Sequence, residues 1–287
     1  MRLGDMVALL LSLLVRSPVL AATPPHPATV AWQAPSPTLD PAARALAAPD
    51  PRSLYRISPA RDGALIAAGV LTVAVPYLFL NGTLDQRCPC DPAEVNAIDR
   101  GVIGNHSRTA TVAADLTVGL AVAGPAFADL VDLGVGRTLG EDLTVYAETL
   151  WLNGALVAVT KYVAQRPLPR TYAGDEALIH SAAGYRAFYS GHTATTVAAL
   201  TAAAFTLEQR YGPRLWPWLV TAGLGASVGF EVVAAGSHFY SDVLVGGVAG
   251  AAVGYLVPRL HLRGEGAAAL RPLPVRGGAG LAYVRAF

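Results

Sequence analysis

An all-α membrane bundle of six helices is the fold class this sequence predicts, and three observations predict it. Six apolar segments of roughly spanning length follow one another at about 63–80, 109–130, 143–164, 193–207, 215–235 and 243–260. The chain is 53% hydrophobic and only 14% charged, whereas a soluble domain carries about 25% charged residues. Small residues (Ala, Gly, Ser, Thr) crowd the apolar runs, which suits helices that approach closely inside a bilayer. Several segments are short or carry an acid (Asp115, Asp129, Glu148, Glu231), so a buried helical bundle in a periplasmic protein is the competing reading.

Taken in order, residues 1–22 read as a signal peptide: Arg2, an apolar run over 6–15, then small residues around Ala21 and Ala22. Residues 23–62 are rich in Pro and Ala and read as a flexible arm. The helical domain is expected over 63–260 and an Arg/Gly-rich tail over 261–287, whose end can form one short strand. Polar loops connect the segments at 81–108, 165–190 and 208–214. Cys88 and Cys90 flank one proline in the first loop; a disulfide is open to them if that loop faces an oxidising compartment, but a bridge over so short a span is strained, so they read as free thiols or a local redox pair. The net charge of +1 without a basic stripe argues against nucleic acid as a partner.

The chemistry gathers at the mouths of the later segments. Ser190-Gly191-His192 directly precedes the fourth segment, so Ser190 is placed as an N-cap and Gly191 lets a ligand approach the backbone. Free N–H groups at a helix start bind an anion such as phosphate. Lys161, the only lysine, stands near the end of the third segment, with Arg166 and Arg170 close behind and Arg186 later in the same loop. His238 lies four residues before Asp242, a spacing that lets a carboxylate orient an imidazole. Such an imidazole attacks phosphorus in line, while a second histidine, His192, protonates the leaving oxygen. This chemistry requires no metal and no cofactor.

These residues resemble the type-2 phosphatidic acid phosphatases, whose fold is shared with vanadium haloperoxidases and bacterial acid phosphatases. That family's signature is Lys, six residues, Arg-Pro; then Pro-Ser-Gly-His; then Ser-Arg, five residues, His, three residues, Asp. Here the parts are Lys161 to Pro169, Tyr189 to His192, and His238 to Asp242, in the same order over roughly 63–260. The resemblance implies that Lys161, Ser190, Gly191 and His192 hold or protonate phosphate, that His238 is the nucleophile and that Asp242 orients it. Four positions depart: Leu168 replaces the first-motif Arg, Tyr189 replaces Pro, and Glu231 and Val232 replace Ser-Arg.

Removing one well-placed oxyanion donor costs about 100- to 1,000-fold in rate, so the two missing arginines need a substitute. Arg166 is the first expectation, with Arg170 and Arg186 as possible compensating groups. The expected function is hydrolysis of a lipid phosphate or diphosphate through a phosphohistidine, with a phosphorylated lipid and the membrane as the partners. The alternative is a catalytically weak or inactive relative that binds phosphorylated lipid or a protein partner. Localisation is expected at a bacterial-type inner membrane. Basic residues in the tail and in the 208–214 loop favour a periplasmic site, whereas a cleaved signal followed by an odd number of crossings places it in the cytoplasm.

Overall fold

The structure, a computed structural model, describes residue 50, residues 52–264, and the strands at 269–275 and 278–284. The expected signal peptide and most of the arm lie outside the described residues. Six long helices are present among the described residues: α1 Pro59–Phe79, α2 Arg108–Leu133, α3 Arg137–Ala164, α4 Gly191–Tyr211, α5 Trp216–Ala234 and α6 Tyr240–His261. Each contains most of one predicted apolar segment, and most extend further because polar turns continue the helix beyond the apolar stretch. Four of them, α1, α2, α5 and α6, are long and apolar enough to cross a membrane.

Local chemistry sets the helix ends. Pro59 starts α1 at its first position, where no N–H is needed. Ser107 caps α2 through its Oγ, which accepts the Ala110 N–H at 3.2 Å. Gly134 and Gly212 follow α2 and α4 with φ of 69° and 82°, a region open to glycine without steric cost.

The polar helices sit inside and the apolar helices outside. Helix α4 is the hub and packs against α2, α3, α5 and α6, burying a face of Ala, Thr, Leu and Phe. Its closest neighbour is α6, where Gly246, Gly250 and Gly254 recur every fourth residue. A Cβ at Gly250 would stand 2.3 Å from the Ala194 carbonyl oxygen, and one at Gly254 2.4 Å from that of Ala198. The two backbones therefore meet only because α6 presents this glycine stripe. On the outside, Leu71, Leu78, Leu116, Phe127, Leu219 and Phe230 are exposed, the face that lipid covers in a membrane bundle.

Three features differ from expectation. The arm expected to run through residue 62 gives way to defined structure earlier. Tyr55 is buried, forms a bridge with Leu262 and hydrogen-bonds Thr206 at 2.6 Å, because its ring fills the gap between Val145 and Val257. The tail forms two strands rather than one, β1 Ala269–Val275 and β2 Gly278–Val284, paired antiparallel. Cys88 and Cys90 form a disulfide instead of free thiols, with Cys88 packed on Ile179 and Tyr185 and its N–H donating to the Tyr185 hydroxyl at 3.1 Å.

Candidate active site

Three connections meet at one end of the bundle: 80–107, 165–190 and 235–239. Between them lies a cavity of about 480 Å³ whose lining includes Lys161, Arg186, Gly191, His192 and His238. Its apolar wall is Val73, Tyr77, Val118 and Val157, supplied by α1, α2 and α3. Two features of the start of α4 shape the mouth. Ser190 caps α4, its Oγ 3.3 Å from the Thr193 N–H, and is fully buried. Gly191 keeps the floor low, since a Cβ there would come 3.2 Å from Val157 Cγ1.

His238 is buried on the turn between α5 and α6, with Gly236 just before it at φ 68°. A side chain at Gly236 would collide with the Asn105 carbonyl oxygen at 2.0 Å. The turn is therefore pressed against the 80–107 loop. Burial, aided by the nearby Lys161 ammonium, lowers the His238 pKa from 6.5 to about 4 despite the opposing Asp242 carboxylate, which keeps its imidazole neutral at physiological pH. Nδ1 stands 3.8 Å from Asp242 Oδ2, beyond hydrogen-bond reach, and has no hydrogen-bond partner among the described residues.

Asp242 is third in α6 and is already occupied. Its Oδ2 accepts the Phe239 N–H at 2.9 Å and its Oδ1 accepts Arg166 Nη1 at 2.5 Å. Arg166 also donates to Asp99 at 2.9 Å and to Ser241 at 2.8 Å, and lies 4.1 Å over the Phe239 ring. Burial raises the Asp99 pKa, but hydrogen bonds from Ser241 and Arg166 outweigh it and hold the carboxyl below its ordinary range. Arg166 therefore stands behind the His238 turn as a strut and is not part of the cavity lining.

The other expected cations separate. Arg170 pairs with Asp175 at 2.5 Å and is also outside the lining. Arg186 lines the cavity, stacked 4.7 Å over Tyr77, with only neutral partners: Asn81 Oδ1 and the Tyr162 hydroxyl, both at 3.3 Å. Lys161 is buried and donates from Nζ to the Arg186 carbonyl oxygen. At the motif positions that lack arginine, Val232 is buried with Ala114 and Val228, and the Leu168 N–H donates to the Gly184 carbonyl at 2.9 Å. Glu231 is outside the cavity lining and accepts from Ser227 and Thr117 at 2.9 and 3.3 Å.

Two residues at the site escape sequence reasoning. Asp115 of α2 is 2.9 Å from His192 Nε2. The signal for it was its charge inside an apolar run, but nothing in the sequence pairs it with a residue 77 positions away. Asp99, in the short helix Ala97–Arg100, anchors Arg166 and Ser241 and lies in a loop without any distinguishing pattern.

The PAP2 superfamily profile matches residues 142–264. Among solved structures, the chain is similar to LpxE of Aquifex aeolicus, at 24% identity and a TM-score of 0.40, over 56% of this chain and 92% of that one. No curated protein matches.

Proposed function

Residues 142–264 belong to the PAP2 superfamily, and from that premise we propose that the chain is a membrane-embedded, metal-independent phosphatase acting on a lipid phosphate or diphosphate. One observation carries the reading: His238, His192, Lys161, Gly191 and Arg186 line a single cavity. The apolar wall contributed by α1, α2 and α3 beside that cationic floor supports a substrate with a phosphorylated head and a hydrocarbon body.

In this mechanism the neutral His238 attacks phosphorus through Nε2, forming an N–P bond as the bond to the leaving oxygen breaks. His192 gives that oxygen its proton, and Asp115 holds the His192 ring in place. His192, now neutral, then takes a proton from water, whose oxygen displaces His238 and releases inorganic phosphate. The α4 N-terminus, Lys161 and Arg186 stabilise the charge on the transferring group, with Arg186 supplying the guanidinium that Leu168 and Val232 cannot. Asp242 and Arg166 fix the turn carrying His238.

The test is phosphate release by the detergent-solubilised protein from phosphatidic acid and from a polyprenyl diphosphate, with His238→Ala in parallel. Release that disappears in the variant is expected. No release by the folded wild type favours the second reading, a lipid-binding relative, which the apolar surroundings of Val232 support.

The site is further proposed to open on the oxidising side of the membrane. The Cys88–Cys90 disulfide lies in the loop that also packs on the site, through Arg87 to the Gln165 carbonyl and Asp99 to Ser241, and disulfides persist in oxidising compartments. In cells with an intact inner membrane, an impermeant maleimide should label these cysteines from the periplasm only after reduction. Labelling that requires inner-membrane lysis would place the site inside.

A further inference from the structure

At the end of the bundle away from the phosphate pocket, three buried ionisable side chains from three helices converge. Asp62 lies in the first turn of α1, Glu148 midway along α3, and His261 at the last position of α6. Their ligand atoms all lie within 4.8 Å of one another. Glu148 stands thirteen residues before Lys161 on the same helix, about 20 Å at 1.5 Å per residue, so this cluster is separate from the candidate active site.

Hydrogen bonding fixes the direction of each donor. His261 Nδ1 is 2.8 Å from the Val257 carbonyl oxygen and must therefore carry the proton. That leaves Nε2 to face Asp62 Oδ1 at 3.6 Å and Glu148 Oε2 at 3.5 Å. Neither Nε2 nor Glu148 Oε2 has a hydrogen-bond partner among the described residues, although both side chains are about 95% buried. Asp62 is oriented by the Ser58 N–H on Oδ2 at 2.7 Å and by Arg61 Nε on Oδ1 at 2.6 Å. A carboxylate oxygen has two lone pairs, so Oδ1 keeps one for a second partner.

With a neutral imidazole, two buried carboxylates face one guanidinium, Arg61, that is itself 55% exposed, so the buried negative charge requires further compensation. A proton shared between Nε2 and an oxygen draws the atoms to about 2.7–3.2 Å. Donor atoms around a tetrahedral ion with bonds of about 2.0–2.2 Å stand about 3.4 Å apart, which is close to the two separations from His261 Nε2, 3.6 and 3.5 Å. The hydrogen bond that the remote ring N–H donates to a backbone carbonyl is also the usual support of a metal-binding histidine.

We propose that Asp62, Glu148 and His261 form a structural site for a divalent transition ion, Zn²⁺ by donor set, that ties α1, α3 and α6 together. One imidazole and two carboxylates suit Zn²⁺ or Mn²⁺. The ion takes no part in phosphate chemistry; it fastens α1 to the core, where α1 otherwise packs mainly on α3.

The experiment titrates chelator-stripped, detergent-solubilised protein with Zn²⁺ by calorimetry, with elemental analysis of the dialysed complex. One Zn²⁺ per chain is expected, with a higher melting temperature, and the same stoichiometry in a His192→Ala/His238→Ala variant. His261→Gln and Glu148→Gln should each weaken binding by more than about 100-fold, since loss of even an outer supporting residue costs about 10- to 100-fold. The X-ray absorption spectrum of the Zn²⁺-loaded wild type should show one imidazole among oxygen ligands, and it decides the matter even if the variants do not fold. Absence of stoichiometric Zn²⁺ and Mn²⁺ in the wild type, or Zn²⁺ binding undiminished in His261→Gln, overturns the proposal and leaves an imidazolium between two carboxylates.

Discussion

Arg186 and Arg166 are both arginines of the loop before α4, and the structure assigns them opposite consequences on removal. The Arg186 guanidinium touches only neutral groups, Asn81, the Tyr162 hydroxyl and the Tyr77 ring, and no carboxylate lies within 4.0 Å of it among the described residues. Its charge is free for a ligand, and it lines the cavity. Arg186→Ala should therefore reduce kcat by about 100- to 1,000-fold, or about 2.7–4 kcal/mol of transition-state stabilisation, with little change in melting temperature. Arg166 holds Asp242 at 2.5 Å and Asp99 at 2.9 Å, carboxylates whose side chains are 0% and 1% exposed. Arg166→Ala leaves both buried without that partner, at a cost of about 3–5 kcal/mol in stability, and lowers the melting temperature. The assay is kcat and KM for phosphate release beside thermal unfolding of each variant, with Arg186→Lys as the charge-retaining control. An Arg186→Ala enzyme with wild-type kcat, or an Arg166→Ala enzyme of unchanged stability that loses activity, would refute this division of roles.

Two further predictions rest on the histidines. Because burial and Lys161 lower the His238 pKa from 6.5 to about 4, the unfolded state binds more protons between these values. Its contribution to stability is therefore complete above pH 6.5 and is lost as pH falls toward 4. The acid limb of kcat/KM assigned to His238 should accordingly lie near pH 4, and one near 6.5 argues against a buried neutral nucleophile. Asp115→Asn removes the carboxylate 2.9 Å from His192 and should lower kcat by about 10- to 100-fold; a rise in KM alone would show that Asp115 serves binding instead.

The sequence alone determined the helices and the motif residues, because both depend on local information. Six apolar runs become helices wherever the chain lies, and Ser190 caps α4 whatever packs around it. The glycine period on α6 is likewise visible as spacing, although its partner carbonyls on α4 are not. Tertiary structure alone decided which charges meet. Arg166 and Arg186 are equivalent as letters in one loop; only the fold brings Asp99 and Asp242 to the first and leaves the second facing the cavity. Asp115 acquires its proximity to His192 from α2 lying against α4, and Asp62, Glu148 and His261 converge from helices separated by most of the chain. Hydrophobic periodicity is written at separations of a few residues and survives in the sequence. Pairing of buried charges depends on distances of a few ångströms between distant segments, and only the packed bundle sets those distances.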